Sequence, residues 1–186
     1  YKRQFRIYHR LGECAAEISE CLAAKGDQIP GTVQRLIAKD RGKLLMRWGE
    51  EMEELCGVLA GTHRDPYLME ATQTFYWASL YAVASGADWN SLNFDAGRRQ
   101  ALTCSISDVI ELRANAKRLA ELGPDKAKPE KLFLLWNIAD RFYREKTDRD
   151  QQWSLDQLME ADLQEMKKRE YLQPILQEIG EAEARG

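Results

Sequence analysis

Histidine is nearly missing from this chain: His9 and His63 are the only two in 186 residues. Cysteine is also sparse. Cys14, Cys21, Cys56 and Cys104 stand far apart, and no two of them make a C-x-x-C pair. A structural zinc site needs closely spaced nitrogen and sulfur ligands, so this set argues against one. The four thiols read instead as small core residues in a reducing compartment, and a cytoplasmic location is expected from them. Long apolar runs are absent. No stretch approaches the roughly 20 residues that cross a bilayer, so no membrane partner is expected. No secretory signal is visible at Tyr1. Charge of one sign is lacking as well, since 27 basic and 30 acidic residues leave a net −3. The basic residues are scattered, with no aromatic-rich basic strand, and nucleic acid is not an expected partner. Strand alternation with hairpin turns is missing throughout, which leaves an all-α class. A chain that is 44% hydrophobic is not disordered, and its length suffices for a core domain with an extension.

What is present is a series of helical patterns. Phe5, Tyr8, Leu11, Ala15, Ile18 and Leu22 predict a helix over 4–25, stopped by Gly26. Its Glu13, Glu17 and Glu20 read as a solvated face. After a turn at Pro30-Gly31, residues 33–39 and 43–60 are helical, as one helix or two, with Gly42 the expected break. On the 43–60 segment Leu44, Trp48, Met52, Leu55 and Leu59 form one apolar stripe. Glu50, Glu51 and Glu54 fall beside it, Glu51 at its edge, and Glu53 turns toward solvent. Asp65-Pro66 predicts the next helix start, with Asp as cap and Pro at the first position. That helix runs to about Ser85 and is apolar nearly all round, so it should be buried. Yet Glu70, Gln73, Thr74, Trp77 and Tyr81 share one of its faces. A buried polar stripe needs a partner. The short connection makes the two helices antiparallel neighbours, so the acids of 43–60 are the expected partner.

The second half predicts a loop or short helix over 87–97, one helix over 98–122, and another from Pro129 to Lys146. Ser154-Leu155-Asp156-Gln157 is a capping box, opening a last helix over 155–172 or beyond that Pro174 bends or ends. Residues 181–186 should fray. The expected architecture is a helical bundle. Residues 1–97 carry the acidic motif as a core, and residues 98–186 pack on that core or on a partner subunit.

Mg²⁺ takes oxygen ligands in octahedral geometry and is often held by a few carboxylates plus substrate phosphates. Glu50, Glu51 and Glu54 with Glu70 make such a set. An ion there would relieve the repulsion that otherwise raises their pKa values. The competing reading is a solvated charge run.

The segment Arg47-Trp48-Gly49-Glu50-Glu51-Met52-Glu53-Glu54 resembles the K-V-G-E-E-x-x-E segment of phosphoribosyl-ATP pyrophosphohydrolases. Glu70-Ala71-Thr72-Gln73-Thr74-Phe75-Tyr76-Trp77 resembles their second segment, E-A-A-D-L-L-Y-H. The wider pattern, E-E-x-x-E then E-x-x-D after a short loop, marks the all-α nucleoside triphosphate pyrophosphohydrolases, which include the MazG-like proteins. The resemblance covers about residues 43 to 86. It implies Mg²⁺-dependent cleavage between the α and β phosphates of a nucleotide, in a homo-oligomer. Glu50, Glu51, Glu54 and Glu70 would then hold the metal or orient the attacking water, and Gln73 takes the family's Asp position among the ligands. Gln offers a neutral oxygen and no charge. Arg47 takes the position of the family's Lys and would contact phosphate. Trp77 stands where the family has His, and reads either as a base-stacking surface or as core. Asn93, followed by Arg98 and Arg99, resembles the Asn and basic residues that follow the second helix in MazG-like proteins. His63 reads as an exposed loop histidine, with phosphate contact the alternative.

Three functions follow from these residues. The first is an Mg²⁺-dependent nucleotide pyrophosphohydrolase. The second is a non-catalytic helical nucleotide-binding or assembly protein that keeps the fold. The third is a plain helical interaction domain whose acids only face water.

Overall fold

The computed structural model describes residues 1–185. Among them the chain forms nine α-helices and one 3₁₀ turn and no strand, so the protein is an all-α bundle. The helices are α1 (Lys2–Lys25), α2 (Gly31–Ile37), α3 (Arg41–Ala60), α4 (Tyr67–Ala84), α5 (Phe94–Thr103), α6 (Val109–Glu121), α7 (Pro129–Lys146), α8 (Leu155–Lys167) and, after the turn Glu170–Leu172, α9 (Gln173–Ala184). None of the described helices is long and apolar enough to cross a membrane.

α4 is the axis of the bundle. It packs against α3, α7, α1 and α8, which is why its sequence is apolar on every side. α3 lies along α4 as the short connection requires, and buries Leu44, Trp48, Met52, Leu55 and Leu59. α6 covers the outer side of α3, where Gly49 leaves room for the Ala120 methyl; a Cβ there would stand 3.1 Å from it. α7 closes the far side of α4. Its Trp136 donates to the Ala71 carbonyl oxygen at 2.8 Å, and its Tyr143 stacks on Tyr67 with 3.6 Å between ring centroids. The second half of the chain therefore packs on the first through one continuous apolar core. A division at residue 97 falls inside α5, whose Phe94 packs on Phe75 and Trp136.

Several local expectations are corrected. The break before α3 is at Lys39 and Asp40, not Gly42. Lys39 has φ 47°, and the Asp40 carboxylate caps α3 by accepting from the Lys43 amide at 3.1 Å. Gly42 lies within the first turn of α3. Asp65 does not cap α4. The extended residue before that helix is Pro66, and Asp65 turns to His63 instead. The helix expected over 98–122 is two helices, since α5 starts at Phe94 and ends at Thr103. Asp108 then caps α6 by accepting from the Glu111 amide at 2.8 Å, while Glu111 accepts from the Ser107 amide. The last expected helix is also divided, and Pro174 starts α9 instead of ending α8. α9 continues to Ala184, so most of the expected fray is helical; Gly186 lies outside the described residues. Of the four cysteines only Cys56 is buried, and Cys21 is exposed. The capping box at Ser154 and Gln157 is formed in both directions.

Candidate active site

Glu51 lies one turn before the C-terminal third of α3, on the edge that meets α4. Its side chain is 3% exposed. Glu70 lies in the first turn of α4, where the helix N-terminus favours negative charge, and its side chain is 1% exposed. The antiparallel pairing of α3 and α4 brings these two acids and the exposed Glu54 into one neighbourhood. Buried carboxylates normally have a partner for each oxygen. Here Glu51 Oε1 accepts from Arg47 Nη2 at 2.7 Å, and the Trp77 side chain is a further donor near the Glu51 carboxyl, but neither Glu51 Oε2 nor Glu70 Oε2, both buried, takes part in a well-formed hydrogen bond.

His63 completes the group. The loop between α3 and α4 folds back over Gly57, where an added Cβ would stand 2.9 Å from the His63 Cβ. Only glycine admits that approach. The loop thus sets His63 Nε2 3.6 Å from Glu70 Oε1 and 3.1 Å from Asp65 Oδ2. One donor atom each from Glu54, His63 and Glu70 lie within 4.8 Å of one another. Donors sharing one small cation, each at about 2.0–2.2 Å from it, stand no more than about 4.4 Å apart. Small side-chain movements therefore suffice for these three to share an ion, which would also meet the need of the orphaned Glu70 oxygen; Glu51, expected as a ligand, lies outside the three-donor group. The donor set fits a divalent cation. Its carboxylates suit Mg²⁺ or Mn²⁺, and its imidazole favours a transition ion.

The electrostatics agree. Burial pushes Glu70 up to about 7, with Glu54 and Glu51 adding to the rise and His63 opposing it. Glu51 is also raised, first by burial; Arg47 pulls it back and Glu54 adds to the rise.

The other sequence candidates divide around this group. Glu50 is exposed and held by Arg47, outside the three-donor set. Arg47 spans Glu50 and Glu51 and also lies over the Trp77 ring, 5.2 Å from its centroid. Trp77 is buried, yet it lines a cleft of about 760 Å³ together with Arg47, Gln73, Tyr76, Asp162 and Arg169. Core packing and a cleft wall are thus both true of it. Along α4, Glu70, Trp77 and Gln73 fall within an arc of about 60°, so Gln73 and Trp77 stand between the acids and the cleft. Asn93 lines neither this cleft nor the donor group. It is exposed, has φ 47°, and precedes the first turn of α5.

Sequence reasoning passed over His63 as a ligand, although its place seven residues before Glu70 in a short interhelix loop was the available signal. It also missed the contribution of α8 and the turn after it, because nothing in their sequence says that they reach α4. Compared with protein-family models, curated proteins and solved structures, the chain matches none.

Proposed function

We propose that the protein is a metal-dependent nucleotide pyrophosphohydrolase, using Mg²⁺ or Mn²⁺. The observation that carries this reading is the pair of buried acids on adjacent helices, Glu51 and Glu70, with Glu70 Oε2 lacking any donor and Glu51 Oε2 lacking a well-formed hydrogen bond. Glu54, His63 and Glu70 would hold the ion, with Glu51 beside them. A bound ion would supply positive charge to the phosphate oxygens and lower the pKa of a water. Glu51 is the chain's own base: its raised pKa makes it a better proton acceptor than an ordinary carboxylate. In the reaction a water oxygen attacks the α-phosphorus and its proton passes to Glu51. The bond from that phosphorus to the bridging oxygen breaks, and pyrophosphate leaves with the electron pair. A nucleoside monophosphate remains. Arg47, already oriented by Glu50 and Glu51, is placed to meet the phosphates at the mouth of the cleft.

The test is pyrophosphate release from a panel of nucleoside triphosphates with Mg²⁺ or Mn²⁺. Metal-dependent release that falls at least ~100-fold in Glu51→Gln supports the reading. No release with either ion, or release unchanged in Glu51→Gln, overturns it.

Gln73 favours a second reading, a helical nucleotide-binding protein that has kept the fold without turnover. It is half-buried beside the acids and brings no charge to them. Calorimetry separates the two, since tight nucleotide binding without hydrolysis belongs to the second. The resemblance also leads us to expect a homo-oligomer, which light scattering tests; a monomer counts against it.

A further inference from the structure

Eight arginines are partly buried among the described residues. Six of them, Arg10, Arg41, Arg47, Arg113, Arg141 and Arg144, have a carboxylate oxygen within ion-pair distance. The remaining two, Arg35 and Arg169, have none. Both lie on one structure. Arg35 of α2 sits over the Trp77 ring, 5.8 Å from its centroid, and Arg169 sits over the Tyr76 ring at 5.2 Å. Tyr76 and Trp77 are consecutive on α4, and both line the cleft beside the acids.

Withdrawing a guanidinium from water without a counter-charge is costly, and an aromatic face offsets only part of that cost. Arg169 lines the cleft itself, and Arg35 lies against the Trp77 ring of its wall without being part of the lining. The buried Asp162 feels the Arg169 charge but stands outside ion-pair distance of it, and no acid of the cleft wall pairs with either arginine. Glu165 pairs with Lys168, and both oxygens of the buried Asp162 take the Tyr8 hydroxyl at 2.7 Å. Arg169 instead donates to the Tyr76 hydroxyl at 3.3 Å, and that same hydroxyl is 2.6 Å from Thr32 Oγ1. These contacts fix the guanidinium at the wall without neutralising it. The lining is otherwise suited to an aromatic group, with Met69, Met166 and Tyr171 beside Tyr76.

We propose that Arg169, which lines the cleft, is its anion-binding residue, with Arg35 assisting from beside the Trp77 wall, and that its ligand is a phosphorylated compound bearing an aromatic ring, of the nucleotide class. The segment after α8 is then part of the binding site. It reaches the same ligand as the acids of α3 and α4, and this identification of the ligand rests on the pyrophosphohydrolase reading above. The phosphates lie within reach of Arg35, Arg47 and Arg169, and the ring lies against the tyrosine and methionine wall.

The experiment is calorimetric titration with α,β-methylene-ATP, whose scissile bridge cannot be hydrolysed, on the full chain with and without Mg²⁺. The proteins are the native chain, Arg35→Ala, Arg169→Ala, the double variant, Arg169→Lys, and Arg149→Ala as an exposed control. Thermal melts establish that each is folded. Each alanine variant should bind about tenfold or more weakly, and the double variant beyond detection. Arg169→Lys should recover part of the loss, and Arg149→Ala should bind as the native chain does. Unchanged binding in folded Arg35→Ala and Arg169→Ala, or no binding of the probe by the native chain, overturns the proposal. A native chain that binds through these arginines but releases no pyrophosphate from any triphosphate removes the pyrophosphohydrolase reading and leaves this one standing. Release by the native chain with an unaltered KM in both variants does the reverse.

Discussion

α4 meets buried carboxylates on two sides and treats them differently. On the side facing α7, Asp140 is 6% exposed and fully partnered. The Tyr67 hydroxyl donates to it at 3.0 Å, and Arg144 donates twice, at 2.8 and 3.1 Å. On the side facing α3, Glu51 and Glu70 are at least as deeply buried, but each has an oxygen without a well-formed hydrogen bond. A satisfied buried acid ties helices together. An unsatisfied one raises the energy of the fold, which makes it a candidate for binding. Tyr67, which reaches Asp140, and Glu70 stand three residues apart and about 60° around α4, on adjoining faces of its first turn. Asp162 is intermediate, because its two oxygens share the single hydroxyl of Tyr8.

Substitutions at the two sides should therefore have opposite signs. Glu70→Gln should remove divalent-ion binding and lower pyrophosphate release by at least ~100-fold. It should also raise the melting temperature at about pH 8, where the native carboxylate carries a charge that burial opposes. A fall in melting temperature at that pH would place Glu70 with Asp140 as a structural acid. Asp140→Ala should instead lower stability by about 2 kcal/mol in urea unfolding, since it strands Arg144 and the Tyr67 hydroxyl. A neutral result would erase the contrast.

The pH dependence of stability sharpens the same comparison. Asp162 and Glu70 are both pushed up to about 7, in each case first by burial. Between the ordinary carboxylate range and about 7, the native state holds protons that the unfolded chain has released. Their contribution is therefore present at the acid end and lost as pH rises through about 7. Melting temperature should fall by a few degrees from about pH 5 to about pH 8, and Asp162→Asn should remove part of that fall. A rise over this window would contradict the account. The smallest effect belongs to Gly57→Ala. It should displace His63 and weaken ion binding severalfold while changing stability by less than about 1 kcal/mol. Ion binding that survives intact would remove His63 from the ligand set.

Much of this was visible in the residues. The all-α class followed from periodicity. The α3–α4 hairpin followed from a short Gly-bounded loop, and its acidic wall from the wheel positions of Glu51, Glu54 and Glu70. The polar face of a helix otherwise apolar all round is what marks the candidate site in the sequence. The missing parts are those that depend on distant contacts or on competing local ones. The break at Lys39 was hidden because Gly42 is the stronger breaker on propensity, whereas the Asp40 cap decides the boundary. The interruption between α5 and α6 carried a readable signal, Ser107-Asp108 with Glu111, outweighed by a continuous apolar pattern. The role proposed for His63 depends on the close approach at Gly57, and that proposed for Arg35 and Arg169 on their lack of carboxylate partners. Neither is a property of neighbouring residues. The division of the acid run into buried Glu51 and exposed Glu50 and Glu54 depends on how closely α4 approaches α3.

The reading stands or falls with a divalent ion held by Glu54, His63 and Glu70 between α3 and α4. Calorimetric titration of the native chain with Mn²⁺ and with Mg²⁺, beside Glu70→Gln and His63→Ala, tests it most directly. The account predicts one ion bound per chain with a dissociation constant below about 1 mM, a melting temperature that rises with ion concentration, and loss of both in Glu70→Gln. No heat and no change in melting temperature with either ion, or binding undiminished in Glu70→Gln, would contradict it.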